Sequence, residues 1–206
     1  MATLAVSPTE QAANPEAKVG PNAVTQVAAA LRALGGDGLA RQVFVAADLG
    51  PVLDMPPERM VDQAIAARLH DTLRLTLPPD DAIRIAMDAG YRTADYLLAN
   101  RIPRPAQWVM KLLPPRLSAR LLLKAMASNA WTFAGTGRVR TQPGNPSVLE
   151  IIDNPLAQPF CPWHVAVFDR LFRTLVAKDA QVSHTACCAH GAPACRFEIT
   201  LARKAD

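Results

Sequence analysis

The order of sequence periodicities along the chain restricts its fold more than any other feature. Up to about residue 133, apolar side chains recur at steps of three and four, the spacing of one helix face. Strand-like runs then follow at 135–140 and 147–152, a helical run at 163–178, and strand-like runs at 180–187 and 194–202. This order predicts an α+β fold, with N-terminal helices packed on a small antiparallel sheet and a strand-strand-helix-strand-strand C-terminal half.

Proline and glycine mark the expected helix boundaries. Asn22 is expected to cap the first helix and Gly35-Gly36 to end it. Proline is favoured in the first turn of a helix, so Pro56-Pro57 and Pro78-Pro79 are each expected to open one. The helices expected in this half are 23–34, 39–49, one from Pro56, one from Pro78, 105–113 and 116–133.

Length and composition fit one domain with a short leader. The 206 residues are 50% hydrophobic and 19% charged, which is enough apolar material for a buried core. Residues 1–21 are rich in proline and alanine and predict a flexible leader, with a single domain at 22–206. No apolar stretch reaches the length of a bilayer span, and the N-terminus has no secretory signal. We therefore expect no transmembrane segment and a cytoplasmic protein.

Positive charge is concentrated in one block of the chain. Residues 92–140 hold nine basic residues and one acidic residue, Asp95, although the whole chain carries only +4. Such a block can steer an anionic partner, or it can be a solvated helix face. The mild net charge and the lack of a zinc knuckle, basic zipper or RNA-binding signature argue against nucleic acid.

All four cysteines and three of the four histidines fall in the last 46 residues, at Cys161, His164, His184, Cys187, Cys188, His190 and Cys195. In a reducing cytoplasm the thiols stay reduced, and clustered thiol and imidazole groups suggest zinc. Cys187 and Cys195 flank an expected hairpin turn, so they can face each other. The cysteines can equally be small buried apolar residues, and the spacing alone leaves both interpretations open.

Motifs for common cofactors and nucleophiles are missing from the sequence. There is no GxGxxG after a strand, no GxxxxGK[ST] phosphate loop and no GxSxG turn. The cysteine spacing does not fit an iron–sulfur run. A redox enzyme would therefore need a cofactor site of an unrecognised kind.

Several motifs resemble the vinyl-4-reductase domain family. Its C-terminal signature is a Cys, a Gly four residues on and a second Cys eight residues on, as in Cys187, Gly191 and Cys195, followed by an aromatic strand. The further matches are Asn154-Pro155-Leu156, Cys161-Pro162-Trp163-His164, Val167-Phe168, Arg170-Leu171-Phe172, Trp131-Thr132-Phe133-Ala134-Gly135 and Ala99-Asn100-Arg101-Ile102-Pro103. Together they resemble the members of the family that serve bacteriochlorophyll biosynthesis, over about residues 22–202.

The resemblance implies a fold and a metal site. The family shares a ligand-binding fold with nitric-oxide-sensing and Golgi transport proteins and often dimerises, which implies a homodimer. Sensory relatives bind zinc through three Cys and one Glu. Cys161, Cys187 and Cys195 match the three Cys positions, and His184 stands at the Glu position. Histidine is a good zinc ligand, so the resemblance implies a structural Cys₃His zinc site, with Cys188 or His190 as a competing ligand.

The resemblance also implies a function. It favours an accessory protein that binds a magnesium porphyrin such as Mg-protoporphyrin, as ligand rather than cofactor, and assists magnesium chelation or hand-over to the next enzyme. The large subunit of magnesium chelatase is then a candidate partner, and the periphery of photosynthetic membranes a candidate location. One alternative is reduction of the 8-vinyl group (the "4-vinyl" of older usage) of divinyl protochlorophyllide. A second is a non-catalytic small-molecule sensor or scaffold.

A magnesium porphyrin is a flat apolar disc with propionates at one edge, so it requires an apolar slot with cations at the rim. The candidate slot residues are Trp108, Trp131 and Phe133. The candidate propionate partners are Arg101, Arg104, Arg116 and Arg120. A histidine can ligate magnesium axially, and the candidates are His70, His164 and His190.

Overall fold

A computed structural model describes residues 9–10 and 16–201. The elements in chain order are β1 Thr9–Glu10, β2 Lys18–Val19, α1 Asn22–Ala46, α2 Gly50–Asp54, β3 Val61–Asp62, α3 Gln63–Thr76, α4 Pro79–Asn100, α5 Arg104–Leu112, α6 Pro115–Ser128, α7 Trp131–Ala134, β4 Arg138–Gln142, β5 Ser147–Ile152, α8 Pro162–Leu175, β6 Gln181–Ala186 and β7 Ala194–Thr200. The predicted α+β class and the strand-strand-helix-strand-strand order of the C-terminal half are confirmed.

The break predicted in the first helix is confirmed at Gly35-Gly36. Both residues leave helical geometry, and Gly36 has φ 71°, a left-handed conformation that favours glycine. The predicted cap is wrong: Pro21 is the N-cap, and the Asn22 side-chain oxygen accepts a hydrogen bond from Gln26 one turn on. The second segment of α1 ends at Ala46, three residues before the expected end.

The helix expected to open at Pro56-Pro57 begins instead at Gln63. The Asp62 carboxylate caps α3 by accepting the Ala64 backbone N–H at 2.7 Å, and Val61 and Asp62 pair with β2 just before it. Such a strand pairing is not visible in local proline signals, so it displaced the predicted start.

The other predicted helices are confirmed with small changes. Helix α4 opens at Pro79, as expected, and α5 lies within a residue of the predicted 105–113. The run predicted as 116–133 is two helices, α6 and α7, with Asn129 as the C-cap of α6.

The main sheet is antiparallel, with strand order β1-β4-β5-β7-β6. In β7 the side chains of Cys195, Phe197 and Ile199 are buried and alternate with more exposed neighbours, because successive residues point to opposite faces of a sheet. The second sheet pairs β2 with β3. One face of the main sheet thus points into the core, and it carries Cys195.

Helix α8 fills the centre of the molecule. It buries residues on most of its circumference, including Trp163, Phe168 and Phe172. Helix α4 crosses it closely at Gly90, where a β-carbon would clash with the Trp163 carbonyl oxygen and lie 2.7 Å from the Ala166 β-carbon. Glycine at this position therefore sets the distance between the two helices.

The predicted leader at 1–21 and the boundary at residue 22 stay predictions. Residues 1–8 and 11–15 lie outside the described residues, while Thr9–Glu10 pairs with β4 and Lys18–Val19 pairs with β3. Within the described part of the chain, the helices are too short or too polar to cross a bilayer.

Candidate metal centre

Four side chains from three neighbouring segments meet beneath the start of α8. Cys161 is the N-cap residue of α8, His184 lies in β6, Cys187 follows β6, and Cys195 lies in β7. One donor atom of each residue lies within 4.8 Å of the donors of the other three. The hairpin between β6 and β7 brings Cys187 and Cys195 together, as the sequence predicts, and the helix start adds Cys161.

The donor atoms are closely spaced and mostly buried. The sulfur atoms of Cys161 and Cys195 lie 3.5 Å apart, and those of Cys161 and Cys187 lie 4.0 Å apart. The His184 Nε2 atom is buried and has no hydrogen-bond partner. A buried polar atom without a partner is costly, and a metal ion coordinated by Nε2 would satisfy it. The four residues therefore fit a tetrahedral metal site.

Backbone geometry directs the Cys161 thiol toward the sheet. Phe160 and Cys161 both have positive φ, 66° and 43°, in a region that residues with a side chain seldom adopt. The Cys161 N–H donates to the Gln158 carbonyl at 2.8 Å, which closes the turn before α8. The positive end of the helix dipole then lies beside the sulfur and favours a thiolate there.

Further hydrogen bonds support the ligands. The Cys188 N–H donates to the Cys195 sulfur at 3.4 Å, and the Cys187 thiol donates to the Gln158 carbonyl at 3.2 Å. The Gln158 side-chain amide donates to Asp71 of α3 at 2.7 Å. The loop before Cys161 is therefore tied to α3, through a residue that no sequence motif singled out.

The shared hydrogen bond separates the acidities of two thiols. The Cys161 thiol donates to the Cys195 sulfur, which lowers the Cys195 pKa to about 3 and raises the Cys161 pKa. Burial raises the pKa of Cys187. One thiolate among protonated neighbours is the expected charge state without metal, and metal binding displaces the remaining protons.

The two competing ligand candidates lie outside the four-donor group. The Cys188 sulfur is directed to the Ile151 carbonyl at 3.9 Å. His190 is exposed, and its ring packs edge-on against Phe160.

The residues predicted to contact a porphyrin fall into two groups. The first group is exposed and lies on α5, α6 and the residue that ends α4: Arg101, Arg104, Trp108, Arg116 and Arg120. Four apolar neighbours in this region, which the sequence analysis did not single out, are exposed too: Val109, Leu112, Leu117 and Leu121. Their helical spacing beside basic residues is the signal that would have revealed them.

The second group lies in and beside the core. Phe133 and His164 are buried, with ring centroids 6.5 Å apart, and Trp131 beside them is partly exposed. The His164 Nε2 atom lies 3.2 Å from the Phe133 carbonyl, and burial lowers the His164 pKa to about 4. Axial ligation through Nε2 would require this contact to break. The His70 Nε2 is engaged in the same way, 3.2 Å from the Ala23 carbonyl.

Comparison with known proteins places the chain in a family. The vinyl-4-reductase domain matches residues 155–201, which include all four donors of the candidate metal centre. The "Bacteriochlorophyll synthase 23 kDa chain" of Cereibacter sphaeroides is 45% identical over 191 residues, covering 88% of this chain and 90% of that protein. The chain belongs to the family of this 23 kDa chain. The protein of the same name from Rhodobacter capsulatus is 37% identical over 190 residues, covering 89% of this chain and 87% of that protein.

The fold of this family member resembles a solved structure outside the family. An H-NOX protein from S. oneidensis, solved in the Fe(II)NO ligation state, aligns over 90% of this chain and 100% of its own. The TM-score is 0.53 at 14% identity, so the likeness concerns the fold alone. It confirms the predicted resemblance to the fold of nitric-oxide-sensing proteins.

Proposed function

We propose that this protein is an accessory protein of bacteriochlorophyll biosynthesis that binds a magnesium porphyrin intermediate and assists magnesium chelation or hand-over to the next enzyme. The observation that carries the proposal is 45% identity to a bacteriochlorophyll synthase 23 kDa chain across 88% of the sequence. The proposal places the protein in the cytoplasm or at the periphery of photosynthetic membranes, as a homodimer, with the large subunit of magnesium chelatase as its protein partner.

The metal in this proposal is a structural zinc ion held by Cys161, His184, Cys187 and Cys195. Zinc–sulfur bonds of about 2.3 Å in a tetrahedron place two sulfurs about 3.8 Å apart, close to the spacings observed here. Four protein donors fill a tetrahedral shell, so the ion supplies a cross-link between the start of α8 and the β6–β7 hairpin. This chain's own residues orient the ligands through the Gln158 carbonyl and the Cys188 N–H.

The proposed porphyrin contacts are the exposed arginines and the aromatic side chain among them. Arg104, Arg116 and Arg120 have no acidic partner within the described part of the chain, so their guanidinium groups are available to propionates. Trp108 on α5 offers an aromatic face beside Arg104, one helical turn away.

The test is an absorbance titration of the purified protein with magnesium protoporphyrin. A saturable shift of the Soret band that needs no nicotinamide supports the proposal. No shift at micromolar pigment overturns it and favours a sensor or scaffold. A spectral change that develops only after reduced nicotinamide is added favours the vinyl reductase instead.

A matched pair of variants tests the contacts. Replacing Arg104, Arg116 and Arg120 together by Gln should weaken pigment binding at least about tenfold, since each removes a charge-assisted contact. The control replaces three exposed cations outside this region, Arg59, Arg68 and Lys178, by Gln and should bind pigment like the unmodified protein.

A further inference from the structure

Helices α5 and α6 expose more apolar surface than their place in the fold requires. On α5, Trp108 is 72% exposed and Leu112 is 82% exposed, while Met110 is the one residue of this helix that is buried. On α6, Leu117 and Leu121 are exposed one turn apart. We call these two helices and the Leu113-Pro114 connection the α5–α6 hairpin. Its apolar side chains stand in solvent and contribute little to the core.

The exposed apolar residues of α5 share one face. At about 100° per residue, Trp108, Val109 and Leu112 fall within an arc of about 100°, and Met110 lies on the other side. Met110 thus anchors the helix to the core while the opposite face, with a tryptophan and a leucine, points outward. This is the arrangement of a surface-active amphipathic helix in reverse of the usual globular one.

Unpaired cations surround this apolar face. The basic residues of the region are Arg101, Arg104, Lys111, Arg116, Arg120 and Lys124. Within the described part of the chain none of them has an acidic partner, whereas arginines elsewhere do, such as Arg92 with Asp88 and Arg170 with Asp95. The sequence has no acidic residue between Asp95 and Glu150. The surface therefore carries charge of one sign that the protein itself does not neutralise.

We propose that the α5–α6 hairpin docks this protein on the surface of an anionic lipid bilayer. Trp108 and Leu112 enter the interface, where tryptophan is favoured and leucine gains apolar contact, and the ring of cations lies against the headgroups. Helix α5 has nine residues and is about 14 Å long, too short to span a bilayer, so it lies in the interface. Docking of this kind requires no pigment and stands independently of the proposed function.

A bilayer fits this surface better than a folded protein does. Protruding Trp and Leu side chains need matching pockets on a protein partner, whereas the interface of a bilayer accepts them without a preformed shape. A continuous cationic rim without any acidic group matches a surface of uniform negative charge.

Flotation of the full-length protein with lipid vesicles tests the proposal. Vesicles of phosphatidylcholine with about a third phosphatidylglycerol should carry the protein to the top of the gradient, and pure phosphatidylcholine vesicles should carry about 100-fold less at equal lipid. Raising the salt to about 0.5 M should release most of the bound protein, because it screens the headgroup attraction.

Two pairs of variants locate the contact. Arg104, Arg116 and Arg120 changed together to Gln should reduce vesicle binding about 100-fold, at roughly fivefold per cation, while the Arg59, Arg68 and Lys178 control should change it less than about threefold. Trp108→Ala with Leu112→Ala should reduce binding at least about tenfold. Its control is Met55→Ala with Leu75→Ala, two residues exposed to a similar degree on other elements.

The proposal is overturned if the intact protein does not float with anionic vesicles, or if the hairpin variants float like their controls. Circular dichroism of each variant shows that a loss of binding is not a loss of fold. Self-association or binding to an acidic protein that depends on Trp108 and Leu112, with no vesicle binding, would assign this surface to a protein partner instead. The vesicles contain no pigment, so the outcome is separate from that of the porphyrin titration.

Discussion

The sulfur atoms of Cys161 and Cys195 lie 3.5 Å apart although 34 residues separate them along the chain. One sits at the start of α8 and the other on the buried face of β7, so their contact ties the central helix to the sheet. Cys187 and His184 complete the group from the neighbouring strand and its end. The consequences of this centre and of the packing around it can be measured.

Loss of one thiol should remove the metal. We expect Cys187→Ser or Cys195→Ser to purify with less than about a tenth of the zinc of the unmodified protein, since a tetrahedral site with one weak donor loses most of its affinity. Cys188→Ser is the matched control and should keep its zinc, because the Cys188 sulfur lies against the Ile151 carbonyl and outside the donor group. Equal zinc in all three variants would assign the cysteines a packing role.

The fourth donor should tolerate a carboxylate and not a methyl group. His184→Glu replaces one zinc ligand by another and should retain zinc, whereas His184→Ala should lose it to a chelator at least about tenfold faster. The measurement is zinc release to a colorimetric chelator. Identical release from His184→Ala and the unmodified protein would show that His184 is not a ligand.

The close crossing of α4 and α8 should make Gly90 intolerant of a side chain. Gly90→Ala places a β-carbon against the Trp163 carbonyl and Ala166, and overpacking of this kind costs about 1–3 kcal/mol. The control is Gly38→Ala, also within a helix, where a β-carbon meets nothing within 4 Å. That change should be neutral or stabilise by up to about 1 kcal/mol. Urea denaturation measures both, and equal effects would contradict the crossing.

Buried histidine should make stability fall in mild acid. Burial lowers the His70 pKa from 6.5 to about 4, so the unfolded chain takes up a proton between these values that the folded chain does not. The free energy of unfolding is therefore unaffected by this group above about pH 6.5. It decreases by about 1.4 kcal/mol per pH unit as the pH falls from about 6.5 toward 4.

His70→Gln isolates this contribution, because glutamine does not titrate and its amide can still donate to the Ala23 carbonyl. We expect a shallower pH dependence in the variant, measured by urea denaturation between about pH 4.5 and 7.5 relative to the unmodified protein (roughly the window set by the two pKa values). Parallel curves would mean that His70 is protonated in the folded state over this range.

The sequence was informative where structure depends on local periodicity. The hairpin that joins Cys187 to Cys195 follows from two strand-like runs and a turn, and the break at Gly35-Gly36 follows from glycine geometry. The start of α3 was missed because Val61 and Asp62 pair with β2, a contact between distant segments. The hydrogen bond from Gln158 to Asp71 joins residues 87 apart and leaves no local trace.

The aromatic and basic candidates show the same division. Their helical spacing indicated amphipathic helices, and α5 and α6 are such helices. Spacing alone does not say which face points inward, because that depends on which neighbours cover it. Phe133 and His164 are buried together in the core, while Trp108 stands in solvent.

The metal content of the purified full-length protein tests the four-donor centre most directly. Elemental analysis by plasma mass spectrometry should find one zinc ion per chain, and stripping it with a strong chelator should lower the midpoint of thermal unfolding. A folded, equally stable protein that contains no metal after expression in zinc-supplemented medium would contradict the account.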